Sequence, residues 1–170
     1  MNFKFSLCSI ILNNQTENTT QKQELSNRIE HKEIYTLGTG LRSIEDFIEI
    51  ISGYNVEAVI DVRSFPSSKL DHFKRINLES FLREEMVEYY YIGKELGGFR
   101  KEGYEKYTHT EEFALGLNKL EGIASIKTSV IICAEHFPWK CHRRFIARAL
   151  QRRGWAVEHI IDKGKVWAPR

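Results

Sequence analysis

Proline and cysteine are scarce, with three of each in 170 residues. So little proline, beside only 11 glycines, excludes collagenous and low-complexity chains, which are rich in both. Three unevenly spaced cysteines cannot staple a small secreted scaffold, and no apolar run approaches the ~18 residues that cross a bilayer as a helix. A secretory leader needs a basic start, an apolar stretch of about 7–15 residues and a small-residue cleavage site. Met1 to Leu12 is weakly apolar, carries Lys4 as its only charge and is followed by no such site. These absences predict a cytoplasmic protein with no membrane partner.

What is present fits one globular domain: 42% hydrophobic and 28% charged residues, at a length that buries roughly 70% of the unfolded surface. Residues 1–32 read as an N-terminal extension, polar from Asn13 to Arg28 and expected to be poorly ordered, and residues 33–170 as a single domain. Cys8 falls in the extension and reads as a spare thiol. The net charge of +2 hides an asymmetry: Lys140 to Arg170 holds nine Lys or Arg against two Asp or Glu, so this end carries +7 and the rest −5. Such a field attracts polyanions, although solvated helices carry similar charge without any partner.

From Glu33 onward, short branched or aromatic runs alternate with segments whose apolar residues recur at three and four. Strands are predicted at Ile34–Leu37, Val56–Val62, Tyr89–Ile92, Ser129–Ala134 and Trp155–Ile161. Four helices lie between: one capped by Ser43 and ended by Gly53, one from Asn77 to about Met86, one capped by Thr110, and one from about Lys140 to Arg153. The fold class is α/β: a mostly parallel sheet of about five strands with helices on both faces. Strand order is not readable from this pattern. In such sheets ligands bind outside the carboxyl ends of the strands, and there the unusual residues gather: Gly38-Thr39-Gly40, Asp61 to Ser67, Glu95 to Arg100, and Cys133 to Arg143.

Cys133 and Cys141 stand eight positions apart, one at a strand end and one at the start of the next helix. Proximity there allows a nucleophilic or redox thiolate, best placed at Cys141 beside His142 and Arg143, a reversible disulfide, or a metal shared with His136, His142 or Glu135. No metal is assigned, because the spacing is not that of a standard zinc knuckle. Cys133 alone reads as a small core residue. Arg63, Arg100 and Arg143 come from three loops of one rim, and converging guanidinium groups imply either internal carboxylates such as Asp61, Glu95 or Glu135, or a bound anion. Glu135 suits a general acid or base if buried, or an ion pair between loops. Gly38-x-Gly40 with Asp61 is a weak dinucleotide pattern lacking its third glycine, so the cofactor stays unknown. Lys140, Arg144, Arg148 and Arg152 repeat every four residues, as a nucleic-acid-binding stripe or a solvated face would.

The chain resembles the uncharacterised DUF488 family. The matching elements are Ile34 to Gly38, Asp61-Val62-Arg63-Ser64-Phe65-Pro66-Ser67, Glu95-Leu96-Gly97-Gly98-Phe99-Arg100 and Cys133-Ala134-Glu135-His136-Phe137-Pro138-Trp139-Lys140-Cys141-His142-Arg143. The resemblance implies a compact α/β domain whose matched residues cluster, and it supplies no established reaction. Family members usually have Gly-His-Ser where this chain has Gly38-Thr39-Gly40. The leading expectation is an enzyme-like site for an anionic ligand, phosphate-bearing or nucleic-acid-derived. Catalysis would fall to Cys141, Glu135 and His142, and binding to Asp61, Arg63, Ser67, Arg100, Cys133 and Arg143. The rivals are a non-catalytic nucleic-acid-binding module using the basic helix and a Cys/His metal-binding protein.

Overall fold

The computed structural model describes residues 32–168; residues 1–31 of the predicted extension, Cys8 included, lie outside them. Six strands form one sheet in the order β3-β2-β4-β1-β5-β6. They are β1 (Glu33–Gly38), β2 (Ala58–Asp61), β3 (Glu88–Tyr91), β4 (Ser129–Cys133), β5 (Ala156–Asp162) and β6 (Lys165–Trp167). All pairings are parallel except β5 with β6. The mostly parallel α/β architecture is therefore as predicted. The sixth strand is an addition, a short hairpin return made at Gly164, whose φ of 64° suits a residue without a side chain.

Helices α1 (Ile44–Gly53), α2 (Arg75–Glu84), α3 (Gly93–Leu96), α4 (Tyr104–Tyr107), α5 (Glu111–Ala124) and α6 (Arg143–Arg152) fill the connections. Ser43 caps α1 by accepting from the Asp46 amide, and Thr110 caps α5 by accepting from that of Phe113. Asn77 does not cap α2: the helix starts earlier, at Arg75, and the Asn77 side chain donates to the Asp71 carbonyl instead. The last helix begins at Arg143, later than predicted, because Pro138–Lys140 forms a separate 3₁₀ turn.

β4, with the run SVIIC, is buried along its whole length, as a central parallel strand covered on both faces must be. One face packs Ile34, Ile60, Ile131 and Val157 under α5 and α6 through Leu117, Leu120, Ile146 and Leu150. The other packs Leu37, Val59, Val130 and Ile132 under α1 and α2 through Phe47, Ile51, Leu78 and Leu82. Each such side chain contributes about 1.5–3 kcal/mol on burial.

The strand order creates one special place. From β1 the chain leaves to α1 on one face and continues to β2; from β4, its neighbour, the chain leaves to α6 on the opposite face and continues to β5. Adjacent strands whose connections diverge in this way leave a crevice between their carboxyl ends. Cys133 is the last residue of β4. Among the described residues, no helix is long and apolar enough to cross a membrane.

Candidate functional site

Backbone hydrogen bonds sew the loops of this rim together. Thr39 N donates to the Cys133 carbonyl at 2.8 Å and Gly40 N to that of Ala134 at 3.0 Å, while Val62 N donates to Ile132 O at 3.1 Å. Gly38 permits the closest approach, since a Cβ built there would sit 2.2 Å from the Glu135 carbonyl oxygen. Thr39 is buried, and Gly40 adopts a φ of 54° against the His136 ring.

Within this frame the Cys133 and Cys141 sulfurs and His142 Nδ1 all lie within 4.8 Å of one another. Nδ1 is 3.6 Å from Cys141 Sγ and 3.8 Å from Cys133 Sγ. The other ring nitrogen, Nε2, lies 3.1 Å from the Val62 carbonyl. A carbonyl only accepts, so Nε2 carries hydrogen and Nδ1 turns its lone pair to the sulfurs when the ring is neutral. The ring is held by Tyr104, with centroids 5.0 Å apart, and by Gly98, where a Cβ would lie 2.5 Å from Nδ1.

Arg143 is fully buried. Its Nε donates to Cys141 Sγ at 3.4 Å and its backbone N–H to the same sulfur at 3.5 Å. Nη1 donates to Thr36 Oγ1 at 3.3 Å, and Nη2 to the carbonyls of Glu135 and His136 at 2.5 and 3.2 Å. Every guanidinium nitrogen is engaged, yet no carboxylate among the described residues forms an ion pair with it. The Cys141 sulfur is the one contact able to carry negative charge. A guanidinium keeps its proton in proteins, and an unpaired buried charge is costly.

The two thiols accordingly separate in acidity. A hydrogen bond from Cys133 lowers the Cys141 thiol against the opposing effect of burial, helped by His142 and by the charge of Arg143. Cys133 moves the opposite way, raised first by the hydrogen bond it gives Cys141 and then by burial. Both directions make the sulfur that Arg143 touches the more acidic of the two.

The other predicted residues lie around this centre in different states. Arg63 is buried against Asp61: Nε lies 2.9 and 3.0 Å from the two carboxylate oxygens, Nη2 is 2.5 Å from Oδ2, and Nη1 donates to Phe73 O. Tyr89 donates a further bond to Asp61 at 2.7 Å. This pair is closed on itself, leaving Asp61 no free lone pair aimed at a ribose hydroxyl. Arg100 donates to the carbonyls of Lys94 and Glu95 and stacks on Tyr107, tying α3 to α4. Glu135 and Ser67 are exposed; Glu135 serves the site through its carbonyl, not its carboxylate. Lys140, Arg144, Arg148 and Arg152 are exposed, Lys140 on the 3₁₀ turn and the rest on α6. A groove beside β3, lined by Glu79, Arg83, Met86 and Tyr90 among others, contains none of the predicted residues.

Sequence reading missed Thr36 and His159. These are paired across β1 and β5, both fully or almost fully buried, with Oγ1 2.6 Å from Nδ1. Thr36 joins them to Arg143, so the network runs Cys141–Arg143–Thr36–His159 and ends on Trp167, stacked over the His159 ring at 5.3 Å. Burial, reinforced by the charge of Arg143, pushes His159 down to about 4 and keeps it neutral. The missing signal was strand order.

Cys133, Cys141 and His142 are the described residues able to converge on a metal ion. Two thiolates and one divalent ion beside the buried guanidinium would leave a net positive charge with no carboxylate to offset it, whereas one thiolate, one thiol and Arg143 are neutral together.

A family model described as a domain of unknown function, DUF488, matches residues 43–150, the span that holds both sulfurs, His142 and Arg143. No curated protein and no solved structure matches the chain.

Proposed function

Since the chain belongs to the DUF488 family, whose description assigns no reaction, we propose from the geometry of its own rim that it carries a thiolate-centred, enzyme-like site. Cys141 is the nucleophile. His142 Nδ1 takes and returns a proton, Cys133 is the neutral thiol beside it, and Arg143 is the positioning residue that holds Cys141 anionic. The carrying observation is that Cys141 Sγ is the single potentially anionic neighbour, among the described residues, of a fully buried guanidinium. Arg63 acts as a brace of the rim in this reading, its side-chain donors taken by Asp61 and the Phe73 carbonyl, and Arg100 braces Lys94 and Glu95 through Nη2 while its buried Nε has no hydrogen-bond partner among the described residues, so the site works on an electrophile and does not depend on a three-arginine anion clamp. Alkylation by iodoacetamide, followed against pH and located by peptide mapping, tests it: Cys141 reacts at a rate already level across neutral pH. A rate that climbs only near the free-thiol value of about 8.5 overturns it.

A second reading is favoured by one observation. Lys140, Arg144, Arg148 and Arg152 are exposed with no ion-pair partner among the described residues, and beside them the half-exposed Trp139 stacks on Phe137 with centroids 4.8 Å apart. A basic stripe with an adjoining aromatic platform suits single-stranded nucleic acid. Binding to an oligonucleotide at low salt, weakening steeply as salt rises, supports this reading, and no binding at low salt removes it.

A further inference from the structure

We propose that Cys133 and Cys141 form a two-electron dithiol–disulfide couple whose oxidant is a small hydroperoxide, Cys141 being oxidised first and Cys133 resolving it; this rests on the nucleophilic reading of Cys141 above. Three observations carry it. The two sulfurs and His142 Nδ1 share one 4.8 Å cluster, so a second thiol waits beside the first with a proton acceptor between them. Both cysteines are nearly closed off, at 7% and 5% residue exposure, which shuts out a folded protein's disulfide or any bulky electrophile and leaves reagents of a few atoms. The two Arg143 N–H groups that donate to a sulfur, Nε and the backbone amide, both donate to Cys141 and not to Cys133, which assigns the attacking and resolving roles.

The chemistry balances. The Cys141 thiolate attacks one peroxide oxygen, the O–O bond breaks, and its electron pair leaves with the other oxygen, which takes a proton from solvent and departs as water or an alcohol. Cys141 is then a sulfenic acid. The Cys133 sulfur next attacks Cys141, forming the S–S bond and breaking S–O; the thiol proton passes through His142 Nδ1 to the leaving hydroxide, which departs as water. The two thiols have lost two electrons and the hydroperoxide has gained them.

This disulfide has an unusual consequence. Forming it removes the one anionic contact that Arg143 has among the described residues, leaving a buried guanidinium among neutral acceptors. A cross-link ordinarily raises stability by restricting the unfolded chain, but the loop closed here is short and gains least from that effect. The oxidised protein is therefore less stable than the reduced one, and the couple favours the dithiol, as in other pairs whose reduced form is selectively stabilised.

The experiment treats the full-length reduced protein, and its Cys133→Ser variant, with hydrogen peroxide and with the bulkier cumene hydroperoxide. Peptide mass mapping and thermal melting of each product give the readout. Expected are a Cys133–Cys141 link in the wild type, reversed by dithiothreitol, faster with hydrogen peroxide, and a lower melting temperature for the linked form. Cys133→Ser instead accumulates sulfinic acid on Cys141. Equal accumulation of sulfinic acid in both proteins overturns the couple while Cys141 stands as a nucleophile. A linked form that melts higher than the reduced one overturns the assigned poise. Cys141 inert to peroxide and to iodoacetamide in the native protein, though reactive in urea, overturns both this inference and the nucleophilic reading.

Discussion

Nε of Arg143 lies 3.4 Å from Sγ of Cys141, two residues back along the chain, with the guanidinium wholly removed from solvent. Neutralising the arginine is not open to the protein, because a guanidinium keeps its proton in proteins. In the proposed site the compensating charge sits on the sulfur, whose thiol pKa is lowered by Cys133, His142 and Arg143 together, and Cys133 and Nδ1 of His142 stand where they can share the displaced proton.

Arg143→Gln follows directly from this relationship. It removes the cation, so Cys141 reverts toward an ordinary thiol and its alkylation at neutral pH slows by at least tenfold. Loss of the bonds to Thr36, Glu135 and His136 also destabilises the fold by about 3–5 kcal/mol, the usual consequence of breaking a buried charged network. Urea denaturation alongside alkylation in the native protein separates the two effects. Unchanged alkylation in a folded variant contradicts the assigned role.

Asp61→Asn is the complementary control. Asp61, the last residue of β2, and Arg63, just beyond it, form a buried pair, and removing one charge leaves the other unpaired at a cost of about 3–5 kcal/mol. The Arg63 side chain hydrogen-bonds to Asp61 and the Phe73 carbonyl and to neither sulfur, so the pH profile of Cys141 alkylation in Asp61→Asn is expected to coincide with that of the wild type. A shifted profile would mean that Arg63 contributes to the thiol site.

The contrast between these two arginines shows how far sequence reading reaches. Strand and helix alternation, the Ser43 and Thr110 caps and the gathering of motifs at one rim were legible, because each depends on local periodicity or on where a strand ends. Which way a guanidinium turns was not, although Asp61 and Arg63 carried a clue: residues two apart in extended chain share a face. Sequence reading placed Arg143 beside Cys141 and among the anion-binding residues, but its bonds to Thr36 and the Glu135 carbonyl were not legible without strand order, since both reach it only because β1 lies beside β4. His159 was hidden for the same reason. The β6 return at Lys163–Gly164 was available as a turn signal between short alternating runs, but a three-residue strand is too brief to register by period.

His159 predicts a pH dependence of stability. Its folded value, held at about 4 by burial and by Arg143, lies below the ~6.5 of an unfolded histidine. Between those limits the unfolded chain binds the extra proton, so stability falls as the pH drops from 6.5 toward 4, by about 3 kcal/mol for this group. His159→Gln, which keeps a partner for Thr36, should flatten that part of the curve in urea titrations at stepped pH. An unchanged slope assigns the acid sensitivity elsewhere.

Gly98→Ala tests the wall behind His142. The added methyl would lie 2.5 Å from Nδ1, closer than any settled contact, so the ring must leave either the sulfurs or the Val62 carbonyl. Expected are a fall in Cys141 alkylation rate and a displaced His142 signal in histidine-selective NMR, in a protein that still folds. Wild-type kinetics and an unmoved ring signal would show that the ring's position is immaterial to the thiol.

The most direct measurement is the ultraviolet absorbance of the thiolate near 240 nm, taken as wild type minus Cys141→Ser across pH in reduced protein. A difference of one thiolate already present at neutral pH, vanishing only in acid, is the expected result. A difference that is absent at neutral pH and emerges only around the ordinary thiol value of about 8.5 would contradict it, leaving Arg143 without its anion.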